Sequence, residues 1–261
     1  MKQITIKSAL MRTVAAMLLI LGTSTVSDQY YMNVVQKDGE KVQYLVSNID
    51  SVYFSDQESP AANYEYVDLG LSVKWASFNV GASKPEEYGD YYAWGEIETQ
   101  TDYSWFTYKW CNGSYDTQNK YNTNSSYGTI DKKTTLDPED DVAHVKWGGN
   151  WRMPTKAEQD DLLNKCTWTW CGSGNTEFNG IAGYKVTSNI EGYTDRFIFL
   201  PAAGCRSSAR LYDVGNYGYY WSSSLNTGFP DIAWDLLFYS DRVYTYNVAR
   251  CDGFSVRPVC P

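Results

Sequence analysis

The chain has 261 residues, 31 acidic against 22 basic, a formal net charge of −9, and 16% aromatic residues that include 23 tyrosines and 10 tryptophans. So acidic a chain repels phosphate backbones, which excludes nucleic acid as the expected partner. The single histidine excludes a metal site built from several histidines. The tyrosine and tryptophan content favours exposed aromatic side chains, which suit binding surfaces.

Residues 1–27 have the pattern of a secretory signal peptide. Three basic residues precede the apolar run Val14–Leu21, and small and polar residues follow it. The run is too short to span a bilayer, and no other stretch comes near, so no transmembrane span is expected. Removal of residues 1–27 leaves 19 basic and 31 acidic residues, a net charge of −12. The sequence therefore predicts export to the cell surface, the periplasm or the extracellular space.

All six cysteines lie in the part that would be exported. An even number of cysteines outside the cytosol indicates disulfides, although the sequence does not define their pairing. The alternative is that several of them are free and buried.

Residues 28–55 are predicted to form a small β module. Apolar residues alternate over Tyr30–Val34 and over Val42–Val46, with a turn at Asp38-Gly39, and residues 49–54 form a third short strand. Residues 56–63 read as a polar linker. The main domain is predicted to cover residues 64–261.

The first of two predicted helices lies after residue 136. Asp137 is its expected N-cap, and Pro138 stands at its first position. Val142 and Val145 are expected to face inward, and Gly148 ends the helix.

The second helix begins after Pro154, where Thr155 and Glu158 form the pattern of a capping box, and it runs to about Lys165. Strands are predicted over residues 184–187 and 196–200. Runs of strands around two helices indicate the α+β class.

The C-terminal region reads as antiparallel strands. Ile232–Phe238 alternates with the period of a strand that has one buried face, and residues 240–242 form a turn. Val243–Arg250 is a second strand, and Phe254–Arg257 is predicted as a last short strand before a proline.

Five motifs occur in order along the main domain: YVDLGLSVKWA at 66–76, WGGNWRMPT at 147–155, FLPAAG at 199–204, YWSSS at 220–224 and GFSVRPV at 253–259. Together they resemble the Fibrobacter succinogenes major paralogous domain (FISUMP) family of exported bacterial proteins. That resemblance implies a C-type-lectin-like fold, two helices and antiparallel sheets preceded by the β module, in the branch shared with formylglycine-generating enzymes.

The resemblance implies little about the chemistry of this chain. The Glu-Pro-Asn, Gln-Pro-Asp and Trp-Asn-Asp motifs of calcium-dependent lectins are absent, and Pro230-Asp231 and Trp234-Asp235 are only fragments of them. Cys251 and Cys260 match no motif of the copper-dependent oxidases. We therefore expect no cofactor and assign no metal ligands, while an oxygen-ligand calcium site elsewhere in the chain stays open at the level of sequence.

Single residues are assigned structural roles. His144 is expected to pack or to cap, because a lone histidine in a helix is seldom catalytic. Arg152 is expected to pair with an acidic residue, Trp151 to be buried, and Arg257 to hold the last strand to the domain.

The preferred function is that of a non-enzymatic binding protein for a glycan or protein ligand. Its contact surface is predicted from the tyrosine-rich, turn-flanked C-terminal pattern. The predicted ligand-binding residues are Tyr212, Asp213, Asn216, Tyr217, Tyr219, Asp231, Tyr239, Asp241, Tyr244, Tyr246 and Asn247. Codon diversification, known in some proteins of this fold group, would also produce such residues, but Tyr, Asn and Asp are common in turns and binding strands anyway.

Two alternatives remain open at the level of sequence. A carbohydrate hydrolase would use two carboxylates. Its candidate acids are Glu86, Glu87, Asp90, Glu96 and Glu98. A structural protein of the cell envelope would need no such pair.

Export can be tested directly. Expression of the full chain in a Gram-negative host should give protein in the periplasm or medium whose first residue lies near Asp28, because the signal peptide is cleaved after export. N-terminal sequencing and intact mass measure the cleavage site, and a version lacking residues 1–27 is the control that should stay in the cytoplasm. Uncleaved protein in the cytoplasm would contradict the prediction.

Overall fold

The structure, a computed structural model, describes residues 31–35, 41–45 and 64–261. The chain divides into two units, Met1–Glu58 and Ser59–Pro261, and each is described by itself. The predicted signal peptide, residues 1–27, and the predicted linker, residues 56–63, lie outside the described residues. The third strand of the β module, expected over residues 49–54, also lies outside them.

The described part of the first unit is a pair of antiparallel strands. β1 (Tyr31–Val35) pairs with β2 (Lys41–Leu45), with Asn33 opposite Gln43 at the centre of the register. The alternating pattern of apolar residues predicted both strands.

The second unit is mixed α+β and mostly antiparallel, with two α-helices among its described residues, as the sequence predicts. Its elements in chain order are β3 (Tyr66–Val67), β4 (Lys74–Ala76), α1 (Val142–Trp147), α2 (Lys156–Lys165), β5 (Cys166–Cys171), β6 (Gly183–Ser188), β7 (Phe197–Pro201), β8 (Cys205–Ser207), β9 (Arg210–Tyr212), β10 (Tyr217–Leu225), β11 (Ile232–Tyr239), β12 (Arg242–Ala249) and β13 (Val259–Cys260). The sheets have the orders β13-β4-β3, β5-β6-β7 and β10-β11-β12, and β8 pairs with β9.

The first helix differs from its prediction. Pro138–Asp140 forms a 3₁₀ turn, and α1 begins only after it, at Val142. Asp141, not Asp137, caps α1, because its Oδ1 accepts hydrogen bonds from the backbone N–H groups of residues 143 and 144. Val142 is buried as expected, but Val145 is 44% exposed.

The second helix and its neighbours are confirmed. Thr155 and Glu158 form the predicted capping box at the start of α2. Glu158 also accepts two hydrogen bonds from Arg152, at 2.8 and 2.5 Å, which is the acidic partner expected for this arginine. Trp151 is buried, and His144 Nδ1 lies 3.2 Å from the carbonyl oxygen of Trp151. This end of the domain is thus assembled by local sequence signals.

β11 is buried on both faces, whereas the sequence predicts one buried face. Leu236 and Phe238 are buried as expected, and Ala233, Asp235 and Leu237 on the other face are buried too. The reason is that β11 is the central strand of its sheet, so side chains of β10 and β12 flank its own on both faces.

A close approach between neighbouring strands requires glycine in β10. A Cβ at Gly218 would come within 2.1 Å of the Phe238 ring. The ring therefore packs directly over the backbone of β10, and no residue with a side chain fits in place of Gly218.

Residues 254–257 are described, but they do not form the predicted strand. Phe254 and Ser255 form only isolated bridges, to Tyr92 and Tyr220, and the last strand is β13. Arg257 explains the irregular path, because its guanidinium is buried and donates to the backbone of other segments. Its partners are Asn79 Oδ1 at 2.8 Å and the carbonyl oxygens of Ala76, Ser77 and Phe199 at 3.0, 3.0 and 2.8 Å. The expectation that Arg257 holds this segment to the domain is confirmed.

Within the described part of the chain, no helix is both long enough and apolar enough to cross a membrane.

The Arg257 contacts predict a large loss of stability on substitution. Arg257→Met should lower the free energy of unfolding by about 3 kcal/mol or more, because it leaves several buried acceptors without donors. Arg257→Lys should recover only part of this, because one ammonium does not reproduce the planar guanidinium fork. Urea denaturation measures both variants.

The matched control is Arg196→Met. Arg196 is exposed and pairs only with Asp195 at the surface, so its loss should change the unfolding free energy by less than about 0.5 kcal/mol. Equal effects of the two substitutions would contradict the structural role of Arg257.

Candidate functional site

The register of the C-terminal sheet brings predicted site residues together. Tyr217 of β10 is opposite Tyr239 of β11, and Leu237 of β11 is opposite both Tyr219 of β10 and Tyr244 of β12. Residues directly opposite each other point to the same side of a sheet. Five predicted residues therefore share one face, which we call the tyrosine face: Tyr217, Tyr219, Tyr239, Tyr244 and Tyr246.

The rings of the tyrosine face contact one another. The ring centroids of Tyr217 lie 6.0 Å from Tyr219 and 5.2 Å from Tyr239, and Tyr244 lies 5.9 Å from Tyr246. Tyr246 is 49% exposed, and the other four are partly buried. Such rings offer apolar area and a polar hydroxyl at little entropic cost, because their neighbours already restrict them.

Asp235 lies on the same side of β11, between Trp221 and Tyr246 in the register. Its side chain is fully buried, and within the described residues neither carboxyl oxygen has a hydrogen-bond partner. Burial raises its pKa well above the ordinary value of an aspartate. A buried carboxyl without a partner favours the neutral form, so the acid that lies on the side of the tyrosine face is uncharged.

The sequence prediction missed Asp235. It appeared there only as a fragment of a calcium-lectin motif. The signal that could have found it is an aspartate at the centre of the apolar run AWDLLF, where an acidic residue is costly unless it has a role. The run alone does not show which face of the strand carries the acid.

Four predicted residues lie beside the tyrosine face. Tyr212 ends β9 and is exposed, and Asp213 follows it, with its Oδ2 accepting a 3.4 Å hydrogen bond from the Tyr219 hydroxyl. Asn216 lies in the exposed turn before β10. Asp241 lies in the exposed turn between β11 and β12, next to Tyr239.

The remaining two predicted residues lie elsewhere. Asn247 is opposite Trp234 and so belongs to the other face of β12, where Thr245 donates a 3.1 Å hydrogen bond to Asp160 of α2. Asp231 precedes β11 at the end of the strand opposite to Tyr239. The sequence grouped both with the tyrosines because they are near in sequence, but strand alternation and strand length separate them.

One acidic cluster has the ligand types of a metal site. Oxygens of Asp137, Glu139 and Asp140 all lie within 4.8 Å of one another. The ammonium of Lys120 lies among them, 2.7 Å from Asp137 and 2.5 Å from Asp140. A lysine at this position supplies the positive charge that a metal would otherwise bring, so the cluster is an ion-pair network.

The acids proposed for a hydrolase have structural partners. Glu87 accepts hydrogen bonds from the backbone and hydroxyl of Ser83, and these bonds lower the pKa of its exposed carboxyl. Glu96 is buried and accepts from the Lys109 backbone at 2.7 Å and from Gln100 at 2.9 Å.

The other three candidate acids of a hydrolase also have partners of their own. Asp90 accepts from Tyr92, Glu86 accepts from Asn179, and Glu98 pairs with Lys146. The carboxyls of these loop acids are thus committed to separate local contacts.

The six cysteines, all within residues 64–261, are free in the structure. Burial raises the pKa of each thiol, including Cys166 to about 11 and Cys205 to about 12. Buried neutral thiols correspond to the alternative that the sequence left open. The predicted disulfides stay a prediction.

Comparison with known proteins gives no match. No family model matches the chain, and neither a curated protein nor a solved structure is significantly similar to it. The candidate site is therefore assigned from its geometry alone.

Asp235 predicts a pH-dependent stability. The folded protein holds this proton more tightly than the unfolded chain does, so the stability is fully present below pH ~4 and falls as the pH rises toward the raised pKa. Asp235→Asn should remove that loss, and its stability relative to the original protein should rise by up to about 1.4 kcal/mol per pH unit above pH ~4.

Urea denaturation between pH 4 and pH 8 measures this difference. Asp241→Asn, in an exposed turn, is the control that removes the same charge without changing a buried group. A difference between Asp235→Asn and the original protein that stays constant with pH would show that Asp235 is not held neutral.

Proposed function

We propose that the protein is an exported bacterial binding protein, at the cell surface or in the periplasm, whose tyrosine face contacts a glycan or protein ligand. The observation that carries this proposal is the convergence of five tyrosines from three adjacent strands on one face of the sheet. Their ring contacts form two groups, Tyr217 with Tyr219 and Tyr239 and Tyr244 with Tyr246, which offer apolar area and hydroxyl groups on the same side of the sheet.

A rigid support favours binding by this surface. β11 is buried on both sides, and α2 packs against β10, β11 and β12. Side chains that project from regular strands are held more firmly than side chains of loops, so less conformational entropy is lost when a ligand binds. The partly buried rings are restrained further by their neighbours.

The resemblance to the FISUMP family and to the C-type-lectin-like fold belongs to the same proposal. Its support is that residues of the five motifs form the interior. Trp75, Trp151, Trp221 and Phe254 are buried, and so is Arg257. The tyrosine face instead lies largely on the strands between the motifs. Such a division is typical of a common scaffold that carries a surface particular to one protein.

Export fits the same function. The sequence at residues 1–27 predicts a signal peptide, and the acidic remainder disfavours nucleic acid and anionic membrane surfaces as partners. A glycan or a protein of the surroundings is the ligand class that remains for an aromatic surface with hydroxyl groups.

Substitution of exposed tyrosines tests the proposal. Glycan arrays and pull-down assays with the exported protein should identify a ligand, and Tyr244→Ala with Tyr246→Ala should weaken its binding about tenfold or more, because central aromatic residues carry much of the energy of an interface. Isothermal titration calorimetry measures the change.

Tyr66→Ala is the matched control, because Tyr66 is 52% exposed and lies on β3, in another sheet. Its loss should leave binding unchanged. Ligand binding that survives the tyrosine-face variant but is lost on substitution of the acidic loop around Glu86 and Glu87 would assign the site to that loop.

A further inference from the structure

A cavity lies between the loop that follows Tyr103 and residues near the ends of the strands β8 and β12. The cavity has a volume of about 370 Å³, within the range of small-molecule sites. Residues 103–106, 113 and 114 line it together with residues 207, 208, 249, 251 and 252. None of the residues predicted for ligand binding lines it.

The aromatic wall of this cavity is held in place by hydrogen bonds. The hydroxyl of Tyr103 donates to the carbonyl oxygen of Tyr91 at 2.6 Å, and the backbone of Tyr103 exchanges two hydrogen bonds with Ser208. Trp105 packs edge to face against the buried ring of Tyr108, with centroids 5.6 Å apart. The wall is therefore formed before any ligand arrives.

Phe106 stands at the same cavity and is 88% exposed. It is the most exposed large hydrophobic residue within the described part of the chain. A phenylalanine so exposed beside a cavity lined by Trp105 and Tyr103 is explained if it closes over a ligand.

Asp252 supplies the charge of the cavity. Its carboxyl is half-buried, and burial raises its pKa to about 6. Among the described residues it forms no ion pair, and the lining contains no lysine or arginine. The nearest basic residue in sequence, Arg206, has its guanidinium over the ring of Tyr91 at 5.3 Å.

The other titratable groups beside Asp252 are thiols. Cys205 and Cys251 both lie near it, and burial raises the pKa of each, so both are neutral at pH 7. No positive group of the cavity lining balances the carboxylate of Asp252.

We propose that this cavity binds a small organic cation, a protonated amine or a quaternary ammonium, with the Asp252 carboxylate as its counter-charge and the rings of Trp105 and Phe106 beside it. The faces of aromatic rings attract cations, and the attraction grows when water is excluded. A neutral ligand would remove water from an uncompensated carboxylate, which costs free energy. The negative charge of the whole chain also favours a cation.

Calorimetry with choline and tetramethylammonium tests the proposal on the full exported protein. Both should bind, and the neutral analogue 3,3-dimethylbutan-1-ol should bind about tenfold more weakly or not at all. Methyl glucoside is the neutral sugar probe. Sugar or alcohol binding as tight as choline binding would overturn the proposal, as would the absence of any choline binding.

Variants test the residues. Asp252→Asn should weaken choline binding about tenfold, and Phe106→Ala should weaken it several-fold. Asp195→Asn removes the same charge from the exposed surface, away from both proposed sites, and should leave the affinity unchanged. Circular dichroism and thermal unfolding establish that each variant is folded, and equal affinities of the folded Asp252→Asn variant and the original protein would overturn the proposal.

The dependence on pH gives a second readout. Choline affinity should fall as the pH drops below about 6, because Asp252 becomes protonated, and it should be independent of pH in Asp252→Asn. The variant with Tyr244→Ala and Tyr246→Ala should bind choline normally, so the result is separate from the fate of the tyrosine face.

Discussion

Two buried arginines hold the irregular parts of this domain together. Arg250 and Arg257 are both excluded from solvent, yet neither forms an ion pair among the described residues. Their guanidinium groups donate mainly to backbone carbonyl oxygens of distant segments. A guanidinium can do this because it carries five N–H donors in a rigid plane, and because it stays charged in surroundings that would deprotonate a lysine. Burial lowers the pKa of Arg257 to about 10, which still leaves it charged at neutral pH.

Arg250 connects the loop region to the C-terminal sheet. Its donors reach the Tyr108 hydroxyl at 2.9 Å and the carbonyl oxygens of Lys120 and Tyr121 at 3.1 Å, and a further one lies 2.8 Å from the carbonyl oxygen of Pro230. Its guanidinium also lies over the ring of Trp94. A long segment with no helix or strand period thereby becomes ordered, since its buried carbonyl groups obtain the donors that regular structure would otherwise supply.

The two proposed binding surfaces depend on this arrangement in different ways. The tyrosine face is carried by strands, and its spacing is a property of the sheet. The cavity at Asp252 is carried by loops, and its shape depends on contacts such as those of Tyr103 and Ser208. The chain therefore combines a flat aromatic surface with a concave charged one. Two acids accompany them: Asp235 is buried and has no hydrogen-bond partner among the described residues, whereas Asp252 is half-buried and lines the cavity.

Local patterns in the sequence determined most of the secondary structure. Alternating residues predicted β11 and β12, the capping box predicted α2, and the pairing of Arg152 followed from its acidic neighbourhood. Such signals depend on residues a few positions apart, so they can be read without the fold. At the first helix, the local signal predicted Asp137 as the N-cap, whereas in the structure Asp141 caps α1.

Only the tertiary structure decided which residues act together. The tyrosines are grouped by the register between strands, which also assigns Asn247 to the opposite face, and Asp252 meets Trp105 across more than 140 positions of the chain. Sequence period shows that a residue lies on a face but not which strand lies beside it, because strand pairing is fixed by packing of the whole core. The class of the fold and a tyrosine-rich surface could be predicted for this reason, and the buried Asp235 and the cavity could not.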